Sequence, residues 1–120
     1  MFEIKEVMLN QGKHQRKRLV IEFELPEQAV LGEFLMTDAP LLSWNILQEM
    51  NDVLCGEKEV VQGSGNRTSW VIQKEITTIS DLFSDMDEDI PVMETCTIET
   101  KILYDLVKMW QSKTQQFNEL

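Results

Sequence analysis

Histidine is all but missing from this sequence: His14 is the only one among 120 residues. A nucleophilic Cys or Ser needs a positioned base, and His14 lies in a polar, basic stretch far along the chain from both Cys55 and Cys96. Those two cysteines lack CxxC spacing, which fits reduced thiols better than a disulfide framework, and both read as small apolar core residues. Gly and Pro together number only eight, too few for low-complexity disorder. Long apolar runs are absent as well, none approaching the length of about 20 residues that spans a bilayer. The opening Met-Phe-Glu-Ile-Lys-Glu-Val-Met alternates charged and apolar residues where a secretory signal would have an apolar block. These absences lead us to expect a soluble protein that stays in the cytoplasm.

Positive charge is short overall and missing from one stretch. From Glu75 to Thr100 there are eight Asp or Glu and no Lys or Arg. The whole chain has 21 acidic and 11 basic residues, a net charge of −10, which repels nucleic acid and anionic membranes and favours basic partners. Four of the eleven cations, Lys13, Arg16, Lys17 and Arg18, cluster together. They are read as a polar loop between two strands, solvated and balancing the acidic remainder.

Periodicity then places the elements. Phe2 and Ile4 alternate with charged residues, and Leu19, Ile21, Phe23 and Leu25 share one face of a second run that stops at Pro26. The two should pair as an antiparallel hairpin joined by a long turn over Asn10 to Arg18. Residues 27 to 37 read as an irregular or strand-like link, since Gly32 and the short length weaken a helix. A helix follows, with Thr37 or Asp38 as its cap, Pro40 in its first turn, and Leu42, Ile46, Leu47, Met50, Val53 and Leu54 recurring at helical spacing until Gly56 stops it. Trp44 is expected on or beside that buried stripe. Next comes a hairpin: Val60 and Val61 on one strand, a turn at Gly63-Ser64-Gly65-Asn66, and a return strand from Ser69 to Ile76. Ile79, Leu82 and Phe83 should tuck a single turn onto the core before the charged loop Ser84 to Asp89. A short strand over 92–98 precedes an amphipathic closing helix capped by Thr97 or Thr100, with Ile102, Leu103, Leu106, Val107 and Trp110 on its apolar stripe and a frayed tail from Gln115. The fold class expected is therefore α+β, one domain over residues 1–120, with a mostly antiparallel sheet of four to five strands packed by a central and a C-terminal helix.

No motif for chemistry survives its structural context. Asp85, Asp87 and Asp89 have the spacing that opens an EF-hand loop, but the sixth position is Ile90 where Gly is required, and the twelfth is Cys96 where a bidentate Glu is needed. Gly63-Ser64-Gly65 sits between strand signals and is explained by a turn instead of a phosphate cradle. Among 21 carboxylates nothing singles out a catalytic pair. A non-enzymatic protein with no metal and no cofactor is expected.

Taken in order, Asp52-Val53-Leu54-Cys55-Gly56, Gly63-Ser64-Gly65-Asn66, Trp70-Val71-Ile72, Thr77-Thr78-Ile79 with Asp81, and Ile98-Glu99-Thr100 with Leu103, Leu106 and Trp110 resemble small immunity proteins of bacterial polymorphic toxin and contact-dependent inhibition systems. The resemblance covers about residues 52–110. It implies a cytoplasmic protein that binds one cognate toxin domain, commonly a nuclease, and blocks its basic active-site surface. Contact residues vary most in such families, so none is transferred by motif. Exposure and charge instead nominate Asp81, Asp85, Asp87, Glu88, Asp89 and Glu94 as partner-binding residues. The alternative reading is an adaptor or structural protein whose basic loop 13–18 contacts RNA or an acidic protein.

Overall fold

A computed structural model describes residues 2–11, 14–41, 45–83 and 92–118. Its architecture is α+β, with two antiparallel sheets and helices that share a core.

The first sheet is a two-stranded ribbon. Strand β1 (Phe2–Gln11) pairs with β2 (His14–Phe23), with Phe2 opposite Phe23 and Gln11 opposite His14. The hairpin is as expected, but its long polar turn is not, because the ladder continues through Leu9 opposite Arg16 and Asn10 opposite Gln15 to Gln11 opposite His14. The basic residues Arg16, Lys17 and Arg18 therefore lie on a strand; Gly12 and Lys13 are outside the described residues. Backbone pairing overrides the low strand propensity of a charged run when the partner strand offers a matching row of amides and carbonyls. Glu3 and Glu22 face each other across this ribbon, and Lys5 Nζ reconciles them at 3.5 and 3.0 Å. At the same end of the ribbon, next to Glu22, Ile21 enters the core.

Residues 26 to 41 are helical, which corrects the irregular link. A 3-10 turn (Pro26–Gln28) leads into α1 (Ala29–Glu33), a wider π-helical segment (Phe34–Asp38) and α2 (Ala39–Leu41). Val30, Leu31, Phe34 and Leu35 are fully buried along it. The widened turn has a local cause in Pro40, whose ring opposes a regular helical turn before it and which has no N–H to donate. The Ala39 amide bonds back to Phe34 O, so Leu35 O has no backbone donor in either register. Trp110 fills that gap, its Nε1–H donating to Leu35 O at 2.9 Å across 75 positions of sequence.

Helix α3 (Ile46–Leu54) buries Ile46, Met50 and Val53. Leu42 and Trp44 lie outside the described residues. Gly56 ends the helix with φ +84°, a conformation that side chains with a Cβ rarely adopt, and Glu57 N–H donates to Asp52 O at 2.8 Å. Of the two cysteines, Cys96 is buried as expected, but Cys55 is exposed at the end of α3.

The second sheet is a meander of β3 (Val60–Ser64), β4 (Thr68–Gln73), β5 (Ile76–Asp81) and β6 (Cys96–Glu99). The return strand stops at Gln73, three residues short of the expected end, and of the segment expected to be a single turn only Leu82 and Phe83 turn, while Ile79 lies on β5 opposite Trp70. One face of the sheet turns Trp70, Ile72, Ile79 and Cys96 into the core, with Trp70 edge-on to Phe34 at 5.3 Å between ring centroids. Helix α4 (Thr100–Asn118) packs on the same side through Leu103, Val107 and Trp110, and it stays helical through the stretch expected to fray. Thr100 does not cap by its hydroxyl. Its Oγ1 donates to Gln73 O and lies 2.8 Å from Thr77 Oγ1, tying the start of α4 to the β4–β5 turn.

Candidate partner-binding surface

Two buried carboxylates organise the end of the meander from which the acidic stretch departs. Asp38, expected as a helix cap, is fully buried and accepts hydrogen bonds from the β3–β4 turn instead: Asn66 N–H at 2.7 Å, Thr68 N–H at 2.8 Å and the Thr68 hydroxyl. Gly65 is required by this approach, because a Cβ there would stand 2.2 Å from Asp38 Oδ1. The turn's glycine thus serves proximity; among the described glycines only Gly56 has positive φ.

Asp81 performs the second clamp. It follows Thr77 and Ile79 on the inward side of β5 and is 3% exposed. Its Oδ1 accepts Phe83 N–H at 2.9 Å, while Oδ2 accepts Met93 N–H at 3.0 Å and pairs with Arg67 Nη2 at 3.1 Å. Burial pushes the Asp81 carboxyl up, but the Met93 and Phe83 amides and the Arg67 charge outweigh it and hold the group below its usual range. The Arg67 guanidinium also lies 4.7 Å over the Phe83 ring, and Leu82 N–H donates to Arg67 O at 2.9 Å. One carboxylate therefore fastens both roots of the acidic stretch, and the β3–β4 turn, at a single point.

The nominated residues separate accordingly. The Asp81 side chain is committed to this clamp, and Glu94 is exposed just beyond it. Asp85, Asp87, Glu88 and Asp89, together with the calcium-like spacing read from them, lie outside the described residues. The inward phase of Asp81 was missed because the β4–β5 connection contains no Gly, Pro or Asn to announce a turn. Lys17 and Arg18 are exposed at the rim of a cavity of about 300 Å³ floored by Leu19, Met36, Trp110 and Phe117. Burial raises the pKa of the Cys96 thiol, with the charge of Glu27 adding to it, which keeps that thiol protonated and unreactive. Among the described residues no helix is long and apolar enough to cross a membrane.

The outward face of the meander contrasts with the rest of the molecule. Gln62, Val71, Thr78 and Thr97 form one row across all four strands, and Ser64, Ser69 and Ser80 the next. Helices pack on the other face. The alternation that exposes these residues was present in the sequence, as was their lack of charge.

No family model matches the chain, and no solved structure does. A curated protein named immunity protein, from Bacillus cereus (strain ATCC 14579), is 32% identical to it over 96 residues, covering 79% of this chain and 79% of that protein. At that identity, and with that share of both chains aligned, this chain belongs to the immunity protein family.

Proposed function

We propose that the protein binds a cognate toxin of a bacterial polymorphic or contact-dependent inhibition system and neutralises it by covering a basic active-site surface, as a nuclease would present. The membership just described supports a toxin partner. The observation that carries the finer reading is the Asp81 clamp, which fixes Phe83 and Met93, the residues on either side of the sequence stretch that contains Asp85, Asp87, Glu88 and Asp89, in a protein of net charge −10. Anchored ends reduce the ordering cost of binding, and a concentrated negative field speeds encounter with a phosphate-binding surface. The chemistry is occlusion, with no cofactor, in the cytoplasm where the toxin would act.

Where a toxin domain is encoded beside this chain's gene, producing it with and without the protein tests the reading. Growth should be restored only by co-expression. Changing Asp85 and Asp89 to Asn, Asp87 to Asn and Glu88 to Gln together should lower the association rate at least tenfold at low salt and flatten its salt dependence. Unchanged kinetics would remove the acidic segment from the interface.

A further inference from the structure

We infer that the free edge of β3 is a self-association site, where a second copy of this chain adds its own β3 antiparallel and joins the two meanders into one continuous sheet. This stands apart from the toxin-neutralising reading, since it concerns the protein alone. β3 is a terminal strand, with β4 on one side and, among the described residues, no strand on the other. Gly65 N–H donates to Thr68 O at 2.8 Å, and Leu82 N–H to Arg67 O at 2.9 Å. Those two bonds fix the phase of the sheet, because antiparallel ladder bonds fall on alternate residues. Val61 and Gly63 bond to β4, whereas Val60, Gln62 and Ser64 turn their amides and carbonyls away from it. Proteins blunt such edges with charge, proline or a bulge. β1, β2 and β6 all carry Glu, Lys or Arg, but β3 reads Val-Val-Gln-Gly-Ser, in unbroken register with β4. Each of its residues is exposed or half-buried, and Val60 is 41% exposed.

Symmetry and charge decide what fits this edge. Gln62 is the middle of the strand, and the outward-turned residues are spaced evenly about it. A two-fold axis there sets Gln62 against Gln62 and Val60 against Ser64 in both directions, for about six backbone hydrogen bonds. A net charge of −10 on each copy opposes association, so the acids nearest the contact have to be kept apart. This pairing does so. Glu57 and Glu59 lie before one end of β3, and the other end leads into Gly65, Asn66 and Arg67. Glu59 of one copy then stands opposite Gly65 of the second, which separates the two Glu59 residues by about 20 Å, well beyond the screening length of about 8 Å at physiological salt. Between them the contact is uncharged. Five residues from each copy bury less than the roughly 800 Å² that a standard interface takes from each partner, so the dimer is reversible and depends on concentration.

Sedimentation of the full chain from about 10 μM to about 1 mM is the test. The wild type should pass from monomer to dimer over that range. Raising the salt from about 0.05 M to about 0.5 M should tighten the dimer by about threefold or more, because it screens the repulsion between copies and leaves the backbone bonds in place. Gln62→Lys and Gln62→Glu each set like charges face to face across the axis and should weaken the dimer by about tenfold or more. An equimolar mixture of the two variants should recover it, since Lys then meets Glu. A folding defect would not be repaired by mixing. A wild type that stays monomeric throughout overturns the proposal, as does a mixture that associates no better than either variant alone. A monomeric wild type whose complex with another protein is lost in both variants would give the edge to that protein's strand instead.

Discussion

At the scale of single residues, Asp81 is the position where removing one charge should be felt most. Asp81→Asn keeps the shape but loses an acceptor for the Met93 amide and the charge facing Arg67. Removing one member of a buried ion pair costs about 3–5 kcal/mol. Here Arg67 is 27% exposed and still reaches water, so a loss of about 1–3 kcal/mol is expected by urea denaturation. The pH dependence follows from the direction of the shift. A carboxyl held below its unfolded value contributes stability that is complete above the unfolded pKa of about 3.9 and is lost as pH falls through the lower folded value. Wild-type stability should thus decline more steeply than that of Asp81→Asn as the pH drops below 4, and parallel curves would deny Asp81 this role. Two glycines make an opposed pair. Gly65→Ala drives a methyl into Asp38 and should cost about 1–3 kcal/mol. Gly32→Ala meets Ile21 O at 3.5 Å and Phe23 at 3.6 Å, ordinary contact distances, and should gain about 0.5–1 kcal/mol by restoring a helix former.

At the scale of elements, what a sequence announces by period or by turn residues was legible, and a turn that no such residue announces was not. Helix α3 and helix α4 follow from apolar spacing, and the β3–β4 hairpin from alternation around Gly65 and Asn66. The β4–β5 turn has no residue that favours turning, so one strand was read where there are two, and Asp81 was assigned to the surface. The helical run from Pro26 to Leu41 was obscured by Gly32 and Pro40, residues tolerated there because of what packs against them: Gly32 under Phe23, and the proline-widened turn relieved by Trp110. That relief is testable. Trp110→Phe should cost more than its lost packing, with Leu35 O left buried and unpaired adding about 1–3 kcal/mol. A loss no greater than that of a Phe replacing a Trp without a bond would remove Trp110 from this role.

For the whole molecule, charge and shape act together. The principal extents of 49, 39 and 24 Å and the radius of gyration of 15.1 Å exceed the roughly 13.6 Å expected of a compact chain this long, in keeping with a two-stranded ribbon beside the meander. The net charge was fully legible, but its placement was not, because sequence order does not say which face a strand shows. With a sequence pI near 4.5, the field that favours a basic partner should vanish close to that pH. Association should slow there and light scattering from the protein alone should rise. The Asp81 clamp has a different consequence at this scale, one of descent. Both ends of the acidic segment are fixed to the sheet independently of what lies between them, and lengthening a loop twofold costs only about 0.6 kcal/mol. Such a segment is an exchangeable cassette: its residues can change in kind and number as the partner changes, while the sheet that carries it inherits nothing of the change.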